Sequence, residues 1–207
     1  MLPLVLDVAR LRLVLVGNDG RAERRLALLD AAGAADLGVY AEAPSPALAL
    51  AAGTRLVRRL PTTEELAAAR IIFISDKNAA ESRRLAEAAR AGGALVHVED
   101  EAGLCDVHAP AVLRRGELLI AVSTGGKSPG LARQIKRFLG TLFGNEWQTR
   151  LDELALLRRR WRESGADTAT VAQWTEAWVA RQGWLPADDP VFSVAASAER
   201  AELREAA

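Results

Sequence analysis

Short apolar runs alternate along this chain with longer stretches in which apolar residues recur every three or four positions. "LRLVLVG" (11–17), "LGVYAEAP" (37–44), "TRLVRRL" (54–60), "RIIFIS" (70–75) and "ALVHVED" (94–100) read as strands. They are rich in leucine and β-branched residues and stop at Gly, Pro, Ser or Asp. Between the first two, "RAERRLALLDAA" (21–32) sets Ala22, Leu26 and Leu29 at helical spacing, with Gly33 as its stop. "TTEELAAA" predicts a short helix capped by Thr62 or Thr63, with acids suited to its first turn. "NAAESRRLAEAARAGG" predicts a longer helix closed by Gly92-Gly93. Strands alternating with helices every ~25–30 residues predict a parallel, doubly wound α/β sheet. Right-handed crossovers bring the carboxyl ends of such strands to one edge. Gly17–Arg21, Ala43–Pro44, Ser75–Asp76 and Asp100 are therefore expected to converge on one crevice.

The pattern changes after residue 105. "APAVLRRGELLIAVST" (109–124) predicts two short antiparallel strands around Arg115-Gly116. A Gly-Gly turn follows, then a helix that Ser128 can cap and Pro129 can begin. From Asn145 onward the text is helical and rich in Arg and Trp. Trp174 and Trp178 share one face at i, i+4, which suits the core of a small helical domain better than an aromatic ligand platform. The expected division is a Rossmann-like domain at 1–110, a hairpin-plus-helix segment at 111–145, a helical domain at 146–190 and a disordered tail at 191–207.

Composition narrows the class. With 207 residues, 50% hydrophobic and 26% charged, the chain can bury a sizeable core. No run of about 18 apolar residues suggests a membrane span. The start "MLPLVLDVAR" lacks the features of a signal peptide, so a cytoplasmic location is expected. Lys+Arg and Asp+Glu balance at 27 each, which argues against nucleic acid or an anionic membrane as partner. Basic "GGKSPGLARQIKR" reads on its own as a solvated helix face. The lone Cys105 allows neither an internal disulfide nor a Cys-cluster metal site, and His97 and His108 alone make no stable metal site.

The turn "GNDGRA" (17–22) carries the candidate chemistry. A phosphate cradle needs glycines so that backbone N–H groups can approach the anion. Here Asp19 stands at the second glycine position of G-x-G-x-x-G and Ala22 at the third. Alanine keeps the helix close to the strand, whereas Asp19 repels a pyrophosphate unless Arg21, Arg24 or Arg25 offsets it. "ISDKN" closes its strand with small and polar residues where a nicotinamide or ribose would lie. Asp100 ends the last strand of the alternating set on the same edge, placed as a base, though loop solvation or N-capping would also explain Asp76 or Asp100.

"HVEDEAGLCDVHAPAVLRRGELLIAVSTGGKSPGLARQIK" (97–136) resembles the siroheme synthase N-terminal region, the precorrin-2 dehydrogenases that are often also sirohydrochlorin ferrochelatases. The resemblance runs from "LPLVLDV" to about Trp184, and "VSTGGKSPGLAR" (122–133) is its most specific part. It implies an NAD-binding Rossmann domain, a dimerisation segment and a C-terminal helical domain, hence a homodimer. By position, Asp100 falls on the family's essential aspartate. Gly17 opens the family's three-glycine turn, and Gly20 and Arg21 fall where NAD is contacted just after it. Ala43, Pro44 and Ser45 match the family's "AP" loop, Ser75 and Asp76 its "A-T-D" loop, and Ser128 a serine phosphorylated in some members. The departures are Asn18 and Asp19 for two glycines, Arg21 for valine, and His97 for asparagine. With no methyltransferase domain following, the chain resembles the stand-alone form.

The implied reaction is oxidation of precorrin-2 to sirohydrochlorin with NAD⁺, followed in many members by insertion of Fe²⁺ as substrate. Asp100 is the expected base for both. Arg114, Arg115, Lys127, Ser128 and the backbone of Gly125 and Gly126 are the expected partners of the macrocycle's carboxylates. His97 and His108 are read as structural rather than as an escort for iron. Two alternatives stay open because the glycine turn is altered: an NAD-independent chelatase, and a non-catalytic tetrapyrrole-binding protein.

Overall fold

The structure, a computed structural model, describes residues 1–185. The tail expected at 191–207, and the last five positions of the helical domain expected at 146–190, lie outside the described residues. The chain divides into two compact units, one of residues 1–111 with 122–133, the other of 112–121 with the chain from 134 onward.

The first unit is built on a five-stranded sheet: β1 (Arg12–Val16), β2 (Asp36–Tyr40), β3 (Leu56–Val57), β4 (Ile71–Ile74) and β5 (Leu95–Val98). Their order is β3-β2-β1-β4-β5, and every pair is parallel. β1 sits between β2 and β4, with Val14 beside Gly38 on one side and Ile72 on the other. Strand order reverses there, which makes the end of β1 the switch point where open α/β sheets bind ligands.

Alternation along the strands fills two cores. Val14, Val16, Ile72, Ile74, Val96 and Val98 face one side, with Leu66 of α3 (Thr63–Ala68) and Leu85, Ala86 and Ala89 of α4 (Ala79–Ala91). Leu13, Leu15, Leu37 and Val39 face the other side. They meet Ala22, Leu26 and Leu29 of α1 (Gly20–Ala31) and Leu48 and Ala52 of α2 (Pro46–Ala52). Each fully buried Val, Leu or Ile contributes roughly 1.5–3 kcal/mol.

The stretch 54–60 departs from expectation. Only Leu56 and Val57 pair, on the sheet edge, after a 3-10 turn at Gly53–Arg55. Arg59 then turns to Glu65, and Pro61 has no N–H to extend a ladder. The preceding "SPALALAA" is helix α2, with Ser45 capping the N–H of Leu48 and Pro46 in the first position.

In the later part of the chain, β6 (Ala111–Arg115) and β7 (Leu118–Val122) form a two-stranded sheet turned at Gly116, whose φ is 58°. The helices α5 (Pro129–Leu142), α6 (Glu146–Glu163) and α7 (Thr168–Arg181) follow. Tryptophans pack these helices: Trp161 meets Trp174 edge-on, and Trp147 lies against Phe143 and Trp184 with Arg150 over the Trp147 ring. Among the described residues no helix is long and apolar enough to cross a membrane.

Candidate cofactor and catalytic site

At the end of β1 the chain must turn directly into α1. Gly17 is required for contact rather than for φ: a Cβ there would stand 2.5 Å from Ser75 Oγ and 2.9 Å from Ala22 Cβ. Asp19 caps α1, its carboxylate accepting the N–H of Arg21 at 2.8 Å. Asn18, the other residue standing in for glycine, ties the turn to the end of β2. Its side-chain oxygen accepts the N–H of Ala43 at 3.1 Å, and its carbonyl accepts that of Ser45 at 2.7 Å.

Asp76 reaches back from the end of β4. Its Oδ2 accepts the N–H of Asn18 at 3.2 Å and of Asp19 at 3.0 Å. Burial first, then the neighbouring Asp19 carboxylate, pushes the Asp76 carboxyl up. The hydrogen bond with Asp76, then the N–H of Arg21, holds Asp19 down. Of this carboxyl pair Asp76 is the member that keeps a proton to higher pH. Asp76 also has φ of 61°, left-handed backbone that aspartate tolerates better than most residues.

Asp100 is the second non-glycine residue in that region, with φ of 63°. It lies in a turn closed by the Glu101 N–H on the Val98 carbonyl, at a position glycine or asparagine usually fills. The Asp100 side chain is 73% exposed, and its Oδ2 is 2.7 Å from Nη1 of Arg21. This ion pair brings the end of β5 to the first turn of α1. Asp100 thus faces the same edge as the glycine turn.

The other expected site residues divide. Ala43 lies at this edge, and Ser45 both caps α2 and donates to Glu23. Lys77, which the sequence did not single out, is buried beside Asp76 and pairs with Glu42 at 2.8 Å. The Ser75 hydroxyl is buried and donates to the Val16 carbonyl. Gly125 and Gly126 have φ of 64° and 80°, followed by exposed Lys127. The Gly125 N–H is given to Ser123 Oγ, and Ser128 caps α5 through the N–H of Leu131. In the second unit Arg114 is exposed, whereas Arg115 donates to the Phe143 carbonyl at 2.9 Å.

The residues fit a dinucleotide. Where a Cβ of Gly20 would stand, only the ends of Arg24 and Glu23 come near, at 3.5 and 3.9 Å, so the first turn of α1 is open. Arg21 and Arg24 supply positive charge beside it. The difference from a bare glycine turn is that Asp76 and Asp19 already engage three of its N–H groups.

A parallel sheet with its switch point at a glycine turn, opening into a helix at the carboxyl edge, defines a dinucleotide-binding α/β protein. The chain belongs to the family described as "Putative NAD(P)-binding", whose profile matches residues 4–111. A second profile, sirohaem biosynthesis protein central, matches residues 115–141. A siroheme synthase of Methylococcus capsulatus is 35% identical over 165 residues, 79% of this chain and 35% of that protein. One of Thiobacillus denitrificans is 33% identical over 148 residues, 68% of this chain and 30% of that protein. The chain therefore spans about a third of the length of these relatives. A solved chain of SirC, a precorrin-2 dehydrogenase, has the same fold, with a TM-score of 0.71 at 21% identity over 90% of this chain and 93% of that one. The resemblance to the siroheme synthase N-terminal region is borne out.

Proposed function

We propose that this chain, as a homodimer, oxidises precorrin-2 to sirohydrochlorin with NAD⁺, and that Asp100 is the base. The observation that carries the reading is the Asp100 turn: an exposed carboxylate in left-handed backbone at the end of β5, paired with the arginine that follows the glycine turn. The chemistry NAD⁺ supplies when bound is acceptance of one hydride. The protons released as the macrocycle loses its hydrogens need an acceptor at the reacting edge, and Asp100 provides it. Arg21 links the two halves of the site, with its backbone at the α1 terminus and its guanidinium on Asp100. Gly20, Arg21 and Arg24 receive the pyrophosphate. Lys127, Ser128 and the backbone of Gly126 are the proposed partners of the substrate's carboxylates. The likeness to siroheme synthases supports Fe²⁺ insertion as a further step, with Fe²⁺ as substrate and the same carboxylate accepting the ring N–H protons.

Anaerobic incubation with precorrin-2 and NAD⁺ is expected to form NADH and sirohydrochlorin in equal amounts. Metal insertion into sirohydrochlorin with no response to NAD⁺ would replace this reading by an NAD-independent chelatase. Failure of both reactions with retained tetrapyrrole binding would leave a carrier.

The homodimer rests on α5. Leu131, Ile135, Phe138 and Leu142 are exposed and follow one another at intervals of four, three and four residues, the spacing of a helix–helix seam. A second copy would cover this stripe. Phe138→Glu is expected to halve the mass measured by sedimentation equilibrium, and a wild-type chain sedimenting as a monomer at micromolar concentration would refute the assembly.

A further inference from the structure

We infer that Arg25 is a positioning residue for Asp100, latching the end of β5 onto α1 through His97 and Glu99. The inference rests on the reading of Asp100 as the base. Arg25 donates from Nη2 to His97 Nε2 at 3.0 Å and to Glu99 Oε2 at 3.3 Å, partners more than 70 residues away in the chain. Its side chain is only 11% exposed, and its guanidinium lies 5.2 Å from the centre of the Phe73 ring. Arg25 Nε is buried with no partner among the described residues. Holding a guanidinium in so dry a place is expensive, and the structure does so to fix the strand end.

The pleat explains why a latch is needed. Side chains alternate along a strand, so Phe73, His97 and Glu99 share the α1 face of the sheet. Asp100, one residue on, would point away from that face. The left-handed turn at Asp100 breaks the alternation, and two consecutive residues then reach the same helix: Glu99 to Arg25 and Asp100 to Arg21, one helical turn apart. The Arg21 contact is largely exposed and by itself weak. The inner contacts hold the register that lets it form.

His97 completes the latch. Its Nδ1 is 3.0 Å from the Val107 carbonyl, which can only accept, so Nδ1 carries the proton and Nε2 is free to accept from Arg25. Burial and the Arg25 charge push the imidazole's pKa down, in keeping with a neutral ring in this role.

The test is an epistasis experiment on the full chain. Arg25→Met keeps an unbranched side chain over Phe73 and removes both hydrogen bonds. It is expected to lower kcat for precorrin-2 oxidation by ~10²-fold, the scale of a displacement near 1 Å, with KM changed less than about threefold. In an Asp100→Asn background the same change is expected to leave the residual rate unaltered. Amide exchange over Glu99–Leu104 should accelerate while that of β1 and β4 does not. An Arg25→Met enzyme with wild-type kcat, or a loss as large in the Asp100→Asn background as in the parent, would overturn the positioning role. Should Arg25→Met fail to fold, Glu99→Ala carries the same test and leaves the guanidinium on Phe73 and His97. Full turnover by Asp100→Asn would instead remove the base on which the inference rests.

Discussion

Replacing Asp100 by asparagine is expected to lower the proposed turnover of precorrin-2 by ~10²–10⁴-fold, the range of one general base. The thermal midpoint moves by no more than about 3 °C, because an exposed ion pair contributes roughly 0–1 kcal/mol. Asparagine is the informative substitution. It tolerates φ of 63° about as well as aspartate and retains a polar oxygen near Arg21, so the backbone of the turn stays as it is. Alanine at this position would add backbone strain and confuse two effects. Asp100→Gly relieves that strain and serves as the backbone control: it too loses turnover if the carboxylate is the base. Initial rates of NADH formation and a thermal melt on each variant decide the matter. Turnover within threefold of wild type in Asp100→Asn would assign the proton to another acceptor.

The sheet and its functional edge were legible because both follow from local periods. Four of the five strands announce themselves as apolar runs, and parallel topology alone then gathers their ends. The exception is instructive. "TRLVRRL" has the composition of a strand, but it lies at the sheet edge and pairs over two residues only. The missed helix α2 carried a readable signal, a serine cap followed by proline and an Ala/Leu run.

At the site, sequence position placed Asp76 and Asp100 at the carboxyl edge of the sheet but did not show what they touch. Asp76 reads as a ligand contact, yet its carboxylate is spent on the N–H groups of Asn18 and Asp19. Ser75 sits at the right place along the strand but its hydroxyl is buried, because both faces of the sheet are covered: Ile74 packs on one face, and Ser75, one residue on, lies on the other beneath Gly17. Asn18 and Arg25 are harder still. Asn18 reads as a departure from glycine until its bond to Ala43 is seen, and Arg25 reads as one of three arginines that could offset Asp19 until its contacts with Phe73 and His97 are seen. Both roles depend on contacts between elements distant in the chain, which no local pattern encodes.

Asp19→Gly is expected to tighten NAD⁺ binding by ~10-fold, about 1.4 kcal/mol. Unit charges ~4 Å apart at an effective dielectric near 20 repel by ~4 kcal/mol, and that is an upper bound here. Asp19 is exposed, and Arg21 and Arg24 lie beside it, so screening and compensation remove much of the repulsion. The substitution also releases the N–H of Arg21 that the Asp19 carboxylate occupies. The helix loses little, since glycine at an N-cap costs only a few tenths of a kcal/mol relative to aspartate. Asp19→Asn separates the two contributions, because it removes the charge and keeps an oxygen that can cap. If both variants tighten binding equally and the gain shrinks as salt rises, charge is the cause. If only glycine gains, the freed N–H is the cause. Fluorescence titration of NAD⁺ at low and high ionic strength reads both. Unchanged affinity in both variants would mean that the pyrophosphate does not lie over the first turn of α1, and the assignment of Gly20 and Arg21 to the cofactor would fall with it.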